Sequence, residues 1–256
     1  MAVTLDLRGH LALAERAARA AGLFLAAGPR QDAALTHESA RDIKLQADRV
    51  AEDRIVDILA GTGIPIVAEE RSAETPAPRC GLHRIVDPLD GTMNYFQGIP
   101  FCCVSIGLWN GDEPQAGVVY DFDRNEMFSG MAGAGAFLNG APVHVRSVPP
   151  ERAVLCTGFP AGTNFASDAV SRFVDHVRLF RKIRLLGSAA LSLAYVATGR
   201  ADVYFERDIR IWDVAAGLAL VRAAGGEFLS APSSMPYALT LYAHNGACPW
   251  PDATFA

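Results

Sequence analysis

The stretch IVDPLDGTMNYF at 85–96 constrains this chain more than any other. Residues Arg84 to Val86 read as a short strand that runs directly into two aspartates, Asp87 and Asp90, separated only by Pro88 and Leu89. Carboxylates this close at a strand end repel each other unless a cation lies between them. The Leu89 carbonyl between them is a further hard oxygen of the kind magnesium selects. Gly91 lets the backbone turn tightly, and Thr92 then opens a short helix whose exposed N–H groups suit a phosphate. By itself, the stretch reads more plainly as a solvated turn in which Asp and Gly are only turn formers.

Two other acidic clusters weaken that plainer reading. Glu69-Glu70 ends a second short strand pattern, Ile64 to Ala68, which could lie beside the first. Alone, the pair reads as a charged loop leading into Arg71. Trp212-Asp213 places an aspartate at the N-terminus of an apolar helix, where the ordinary role of Asp is a cap. Three acidic clusters, each at the end of an element, favour a carboxylate-rich metal site over three unrelated surface features.

The surrounding pattern places these clusters in an α/β protein. Leucines at helical spacing in an alanine-rich run predict a helix from Leu7 to Ala27, stopped by Gly28-Pro29. A second helix is predicted from near Asp48 to Gly61, and the Pro-containing segment 71–81 reads as a surface loop. Three β segments follow as a meander, Phe101 to Trp109, Ala116 to Tyr120 and Glu126 to Ser129. The glycine-rich GMAGAGAFLNG (130–140) lacks the GxGxxG spacing and reads as a strand and turn after that meander. Beyond Gly140 the elements alternate: strand 154–157, helix 168–180, strand 183–186, helix 188–198, strand 203–205, helix 213–224, strand 227–229. The expected organisation is an α+β half (1–141) carrying most of the acidic clusters and an α/β half (142–256) carrying Asp213, closely packed as one unit. A chain of 256 residues, half of them hydrophobic, is long enough to bury such a core.

Composition excludes little, but it does set expectations. A net charge of -5 gives no electrostatic reason for a nucleic-acid partner. The five cysteines form no CxxC pair and fit reduced thiols in a cytoplasmic protein. Arg8, Glu15, Arg16 and Arg19 interrupt the first apolar run, so no signal peptide is expected, and no stretch is long enough to cross a bilayer.

Four stretches carry a resemblance. VAEE (67–70), DPLDGTMNYFQGIPF (87–101) and WDVAAGLALVRAAGG (212–226) are similar to the three signature regions of the inositol monophosphatase family, and RLLGSAALSLAYVATGRADVYFE (184–206) is similar to the stretch before the last. They occur in the family's order, from about Asp42 to Gly246. The resemblance implies an alternating α-β-α-β-α layered sandwich, commonly a homodimer. It also implies a magnesium-dependent, lithium-sensitive phosphatase related to fructose-1,6-bisphosphatase, with two or three Mg2+ ions. It assigns Glu69, Asp87, the Leu89 carbonyl, Asp90 and Asp213 as metal ligands, with Asp48 at an outer or third ion. Gly91 and Thr92 would hold the phosphate, and Glu69 with the Thr92 hydroxyl would orient the attacking water. Asp90, Gly187, Ser188, Ala189 and Glu206 would line the substrate pocket, with Glu206 placed to bond a sugar or polyol hydroxyl. The chain departs from the common pattern at His37 and Leu45, where the family has a lysine and a threonine, and at Ala68 and Tyr95. No role follows for the nearby Lys44.

The implied substrate is a small phosphorylated polyol, sugar or nucleotide, with inositol monophosphate first. Fructose-1,6-bisphosphate, histidinol phosphate, a 3′-phosphoadenosine nucleotide and NADP are alternatives. A non-catalytic metal- or phosphate-binding regulator is the other class of reading. No Walker GxxxxGK[ST], HExxH or GxSxG occurs. Phosphatases that attack through the first Asp of DxDGT are excluded, because Pro88 stands two residues before Asp90. Acid quench during turnover is therefore expected to trap no aspartyl-phosphate, and recovery of one would contradict this reading.

Overall fold

The central strands carry near-continuous buried runs, so both faces of each sheet must be covered, and that sets how many layers the chain must build. The computed structural model describes residues 6–30, 33–38, 43–71, 80–159 and 165–249. In chain order the elements begin with α1 (Leu7–Ala27), β1 (Leu35–Glu38), β2 (Ile43–Leu45), α2 (Gln46–Leu59), β3 (Ile66–Ala68), β4 (Leu82–Asp90) and α3 (Thr92–Gln97). The meander follows as β5 (Cys103–Asn110), β6 (Glu113–Asp121), β7 (Glu126–Met131), β8 (Gly135–Leu138) and β9 (Ala141–Val143). The second half contains β10 (Val154–Thr157), α4 (Ser167–Val177), β11 (Lys182–Leu185), α5 (Ala189–Ala197) and β12 (Val203–Arg210). It ends with α6 (Ile211–Ala223), β13 (Glu227–Pro232) and β14 (Ala238–His244).

Strands β3 to β9 form one seven-stranded sheet in sequence order, and a five-stranded sheet has the order β11-β10-β12-β14-β13. Neighbouring residues on a strand point to opposite faces, so each sheet has two apolar faces to cover. On β6, Val118 and Tyr120 pack with Ala17, Ala18, Ala21 and Leu25 of α1 and Ile55 of α2, whereas Val119 packs with residues of α5 and α6. On β12, Tyr204 faces α5 and α6, while Val203 and Phe205 pack with Val177 and Phe173 of α4. The layers are therefore α1/α2, seven-stranded sheet, α5/α6, five-stranded sheet and α4. This is the alternating α-β-α-β-α sandwich. Helix α6 is apolar on nearly every side because it lies between two sheets rather than against one.

Local signals account for most element ends. Asp6 caps α1 by accepting from the Gly9 N–H at 2.9 Å, and Gly28 closes it with its N–H on the Leu25 carbonyl. Helix α2 starts at Gln46, two residues before the expected Asp48. Strand β4 does not stop at Val86; it continues through Asp90 across a bulge. Strand β12 likewise continues past 205 to Arg210, with a register shift after Glu206 and a positive φ at Asp208. Strand β14 was not anticipated, and it makes the second sheet mixed by entering antiparallel between β12 and β13. The short pair β1–β2 and the strand β9 also go beyond the expected elements, whereas β8 is the strand expected within 130–140. Most of the expected 71–81 loop, and Asp42, lie outside the described residues.

Glycines govern how closely α6 approaches the first sheet. Gly107 and Gly117 pair across β5 and β6 and lie under Ala215 and Ala216 of α6. A Cβ at Gly117 would stand 2.2 Å from the Ala216 carbonyl oxygen, a contact with backbone that a rotamer change cannot relieve. Gly117→Ala is expected to destabilise the fold by about 1–3 kcal/mol, measured as a lower denaturation midpoint; an unchanged midpoint would contradict the close approach.

Candidate active site

The parallel pairing of β3 with β4 creates the site. Ala68 stands opposite Val86, and the Glu69 N–H continues the ladder by donating to the Val86 carbonyl at 3.1 Å. The next side chains on the two strands are then Glu69 and Asp87, brought side by side. On the other edge of β4, Asp87 pairs with Ser105 and Asp90 with Cys103, so β4 carries one residue more than β5 in this interval. Pro88 sits in that bulge, where a residue without an N–H is tolerated. Asp87 Oδ1 accepts from the Leu89 N–H at 2.9 Å, and the Thr92 hydroxyl donates to the Leu89 carbonyl at 3.0 Å. Both bonds hold the turn in one shape.

Gly91 has φ of 88°, and a Cβ there would stand 3.0 Å from the Phe101 carbonyl oxygen and 3.1 Å from that of Gly187. No other residue suits this position. The Asn94 side-chain NH2 donates to the Phe101 carbonyl at 2.9 Å and the Leu186 carbonyl at 2.8 Å, joining the α3 turn to the second half. Asp90 is tied across the same boundary: its Oδ2 accepts from the Ser188 hydroxyl and from the Ala190 N–H at 2.8 Å. Ser188 also caps α5 through the Leu191 N–H at 3.2 Å. Asp213 lies in the first turn of α6, inside the helix rather than at its cap, where the helix dipole favours a carboxylate.

These residues surround one cleft of about 710 Å3. Glu69, Asp87, Leu89, Asp90, Gly91 and Thr92 line it from the first half. Gly187, Ser188, Ala189, Glu206 and Asp213 line it from the second. Asp48 is not part of the lining; it is buried in the first turn of α2, with Oδ2 accepting from the Leu45 N–H at 2.7 Å and Oδ1 without a partner. Lys44, which carried no assignment, also lines the cleft, with Nζ 3.5 Å from Glu69 Oε1 and bonded to Glu70. The Glu70 N–H in turn donates to Glu52 Oε2 at 2.8 Å. Tyr204, also unassigned, donates its hydroxyl to Glu206 Oε2 at 2.6 Å. That pair had a signal: residues two apart on a strand share a face.

The carboxylates are electrostatically strained. Burial raises Asp87 and Asp213 well above the usual carboxylate range, with Glu69 and Asp90 adding to both. Burial raises Glu69 to about 7 against the pull of Lys44. Asp90 rises to about 6, burial outweighing the Ser188 and Ala190 hydrogen bonds, and Glu206 to about 7, burial outweighing Tyr204. Asp48 reaches about 8 through burial, with Glu69 and Glu70 adding and the Leu45 N–H opposing. Burial draws the Lys44 ammonium down, but Glu69 and Glu70 more than offset it and its pKa is raised. Among the described residues no group of three or more His, Cys, Asp or Glu side chains converges closely enough to enclose an ion in this arrangement. The donor chemistry nevertheless fits a hard divalent cation: the facing groups are oxygens, they repel one another, and the buried Asp48 Oδ1 lacks a partner.

Comparison with known proteins agrees with this geometry. Residues 6–251 match the model of the inositol monophosphatase family. The chain is 37% identical over 251 residues to an inositol monophosphatase of Mesembryanthemum crystallinum, covering 94% of this chain and 92% of that one. The chain belongs to the inositol monophosphatase family. It is 43% identical over 196 residues to Nus factor SuhB of Xylella fastidiosa, covering 74% and 69% of the two chains. The solved inositol monophosphatase of Anabaena superposes with a TM-score of 0.80 at 34% identity, covering 95% of this chain and 93% of the other. Inositol monophosphatase family members are phosphatases, and this chain is one of them. No helix among the described residues is long and apolar enough to cross a membrane.

The raised carboxylates give the cation-free protein a signed pH dependence. Asp48 and Glu69 have folded-state values of about 8 and about 7, against ordinary values of 3.8 and 4.5. The folded form therefore binds more protons than the unfolded form, and stability is lost as pH rises from about 4 to about 8. A divalent cation bound among these carboxylates would replace those protons. The melting temperature of chelated protein is expected to fall between pH 5 and pH 8, and millimolar Mg2+ is expected to raise it most at the upper end. A chelated melting temperature that rises over this window would contradict the carboxylate cluster.

Proposed function

We propose that this phosphatase hydrolyses a small phosphate monoester by magnesium-dependent attack of water, with inositol monophosphate as the leading substrate. The observation that carries the reading is that Glu69, Asp87, the Leu89 turn, Asp90 and Asp213 line one cleft together with Gly91 and Thr92. Glu69, Asp87, the Leu89 carbonyl, Asp90 and Asp213 would hold two Mg2+ ions, with Asp48 behind them for a third. When bound, magnesium supplies charge against the monoester and a water of lowered pKa.

The chain's own residues orient that chemistry. The Thr92 hydroxyl commits its proton to the Leu89 carbonyl, so its lone pairs are left to accept from the attacking water. Glu69 accepts the water's other proton and turns its lone pair toward phosphorus. The first N–H groups of α3, beginning at Gly91 and Thr92, have no partner within the helix and face the phosphate. On the substrate side, Gly187, Ser188 and Ala189 form the wall beside Asp90. With Tyr204 on one oxygen, the other oxygen of Glu206 accepts from a polyol or sugar hydroxyl.

Fructose-1,6-bisphosphate, histidinol phosphate, a 3′-phosphoadenosine nucleotide and NADP remain the rival substrates. The likeness to proteins called Nus factor SuhB keeps a second reading in view, a regulator that binds metal or phosphate with little turnover. A homodimer is supported by exposed apolar side chains on one side of the second half, Val170 and Val174 of α4 and Leu185 of the edge strand β11. Lithium inhibition and a cytoplasmic location are part of the same proposal, as is the absence of a nucleic-acid partner, which the charge of -5 favours.

Phosphate release from a panel of these esters, with Mg2+ and with chelator, tests the proposal. Inositol monophosphate is expected to turn over fastest, and only with Mg2+; no release from any ester would leave the regulator reading. Asp90→Asn is expected to lower turnover by about 10²-fold or more while the protein remains folded by circular dichroism. Near-normal activity in that variant would refute the site.

A further inference from the structure

The cleft, lined on its first-half side by the carboxylates Glu69, Asp87 and Asp90, also holds an ammonium, that of Lys44. Strands β1 and β2 are antiparallel, and their register sets His37 directly opposite Lys44. Residues opposite each other in such a pair project from the same face. The flanking residues Ile43 and Leu45 are buried in the cluster under α1 and α2, so Lys44 projects the other way, into the cleft. There its Nζ lies 3.5 Å from Glu69 Oε1 and is bonded to Glu70. Among the described residues lining the cleft, the other cation is Arg210, whose guanidinium donates to the Pro236 carbonyl at 2.5 Å. Arg49 also reaches Glu70, with Nε 3.5 Å from Oε2, but it does not line the cleft, so Lys44 is the cleft cation set on the acidic pair and the one that reaches Glu69.

We propose that Lys44 is a positioning residue that tethers Glu69 in line with the cleft. The proposal rests on the metal-dependent reading above and extends it. Two effects follow, and they have opposite signs. The tether keeps one oxygen of Glu69 on Lys44, which stops the carboxylate from swinging and supports the orientation of water. The same positive charge weakens the pull of the carboxylate cluster on divalent cations. Leu45, the next residue, is fully buried and adds no polar group to the cleft. The polar work on this side of the site thus falls to Lys44.

Lys44→Met removes the charge and keeps the length of the side chain. Titration calorimetry with Mg2+ alone is expected to show binding tighter by about three- to tenfold, because one repelling charge is gone. Turnover of the fastest monoester in the panel, at saturating Mg2+, is expected to fall by about tenfold, because Glu69 is no longer held. Lys44→Arg is expected to restore both measurements toward wild type. So is the double variant His37→Lys/Lys44→Val, which returns the ammonium across the ladder. An ion pair that only supports the fold would lower the melting temperature and move neither measurement. That result overturns the proposal, as does a Lys44→Met variant that matches wild type throughout, or a double variant that rescues nothing. If wild type binds no Mg2+ and releases no phosphate, the functional reading fails along with this one. If wild type does both and Lys44→Met is silent, only the role of Lys44 fails.

Discussion

Buried carboxylates that repel one another dominate this molecule. Glu69, Asp87, Asp90 and Asp213 come from three separate elements, and each is raised above its ordinary pKa by burial, with the charges of Glu69, Asp90 and Asp213 raising Asp87 further. A fold that only had to be stable would not gather them. What holds them in place is backbone: the β3–β4 ladder, the bulge at Pro88, the Gly91 turn and the first turn of α6. Side-chain bonds then hold the individual groups, with Ser188 on Asp90, Thr92 on the Leu89 carbonyl and Lys44 on Glu69. The strain is local and the scaffold is rigid, which is the combination expected where charge must be ready for a ligand before it arrives.

Much of this was legible in the sequence, and the limits have physical causes. Helix α1 and strand β10 have the expected bounds because their ends carry local signals. Glu69 and Asp87 could be placed together because both follow short apolar strands, and adjacent strands pair. Strand β14 was not legible: ALTLYAH enters the second sheet antiparallel between β12 and β13, and alternation along the chain does not encode an inserted neighbour. The continuation of β12 was hidden by the charged run Glu206-Arg207-Asp208, which reads as a strand end and is in fact a bulge.

The site divides in the same way. Its acidic residues were visible because carboxylates at element ends are conspicuous. The bond from Ser188 to Asp90 joins residues 98 apart in the chain, and only the resemblance brought them together. The sequence assigns no role to Lys44, for a different reason. Ile43-Lys44-Leu45 is too short to show a period, so nothing in it says which way the lysine points until β1 supplies a partner strand.

The seating of α6 against the paired glycines Gly107 and Gly117 has a consequence for how such a protein can diverge. Backbone meets backbone there, and a Cβ at Gly217, on the flank of α6 that faces α5, would stand 2.4 Å from Leu193 Cβ. Neither the side of this helix toward the first sheet nor its flank toward α5 has room for an added side chain at these glycines, which holds Asp213 close to the sheet that carries Asp87. Novelty in what the cleft admits is channelled to its far rim, where Asp208 and Tyr237 already occupy left-handed backbone and Met235 and Pro236 form the wall. The architecture thus separates an inherited reaction from a negotiable substrate, one held by packing that admits no insertion and the other by loops that do.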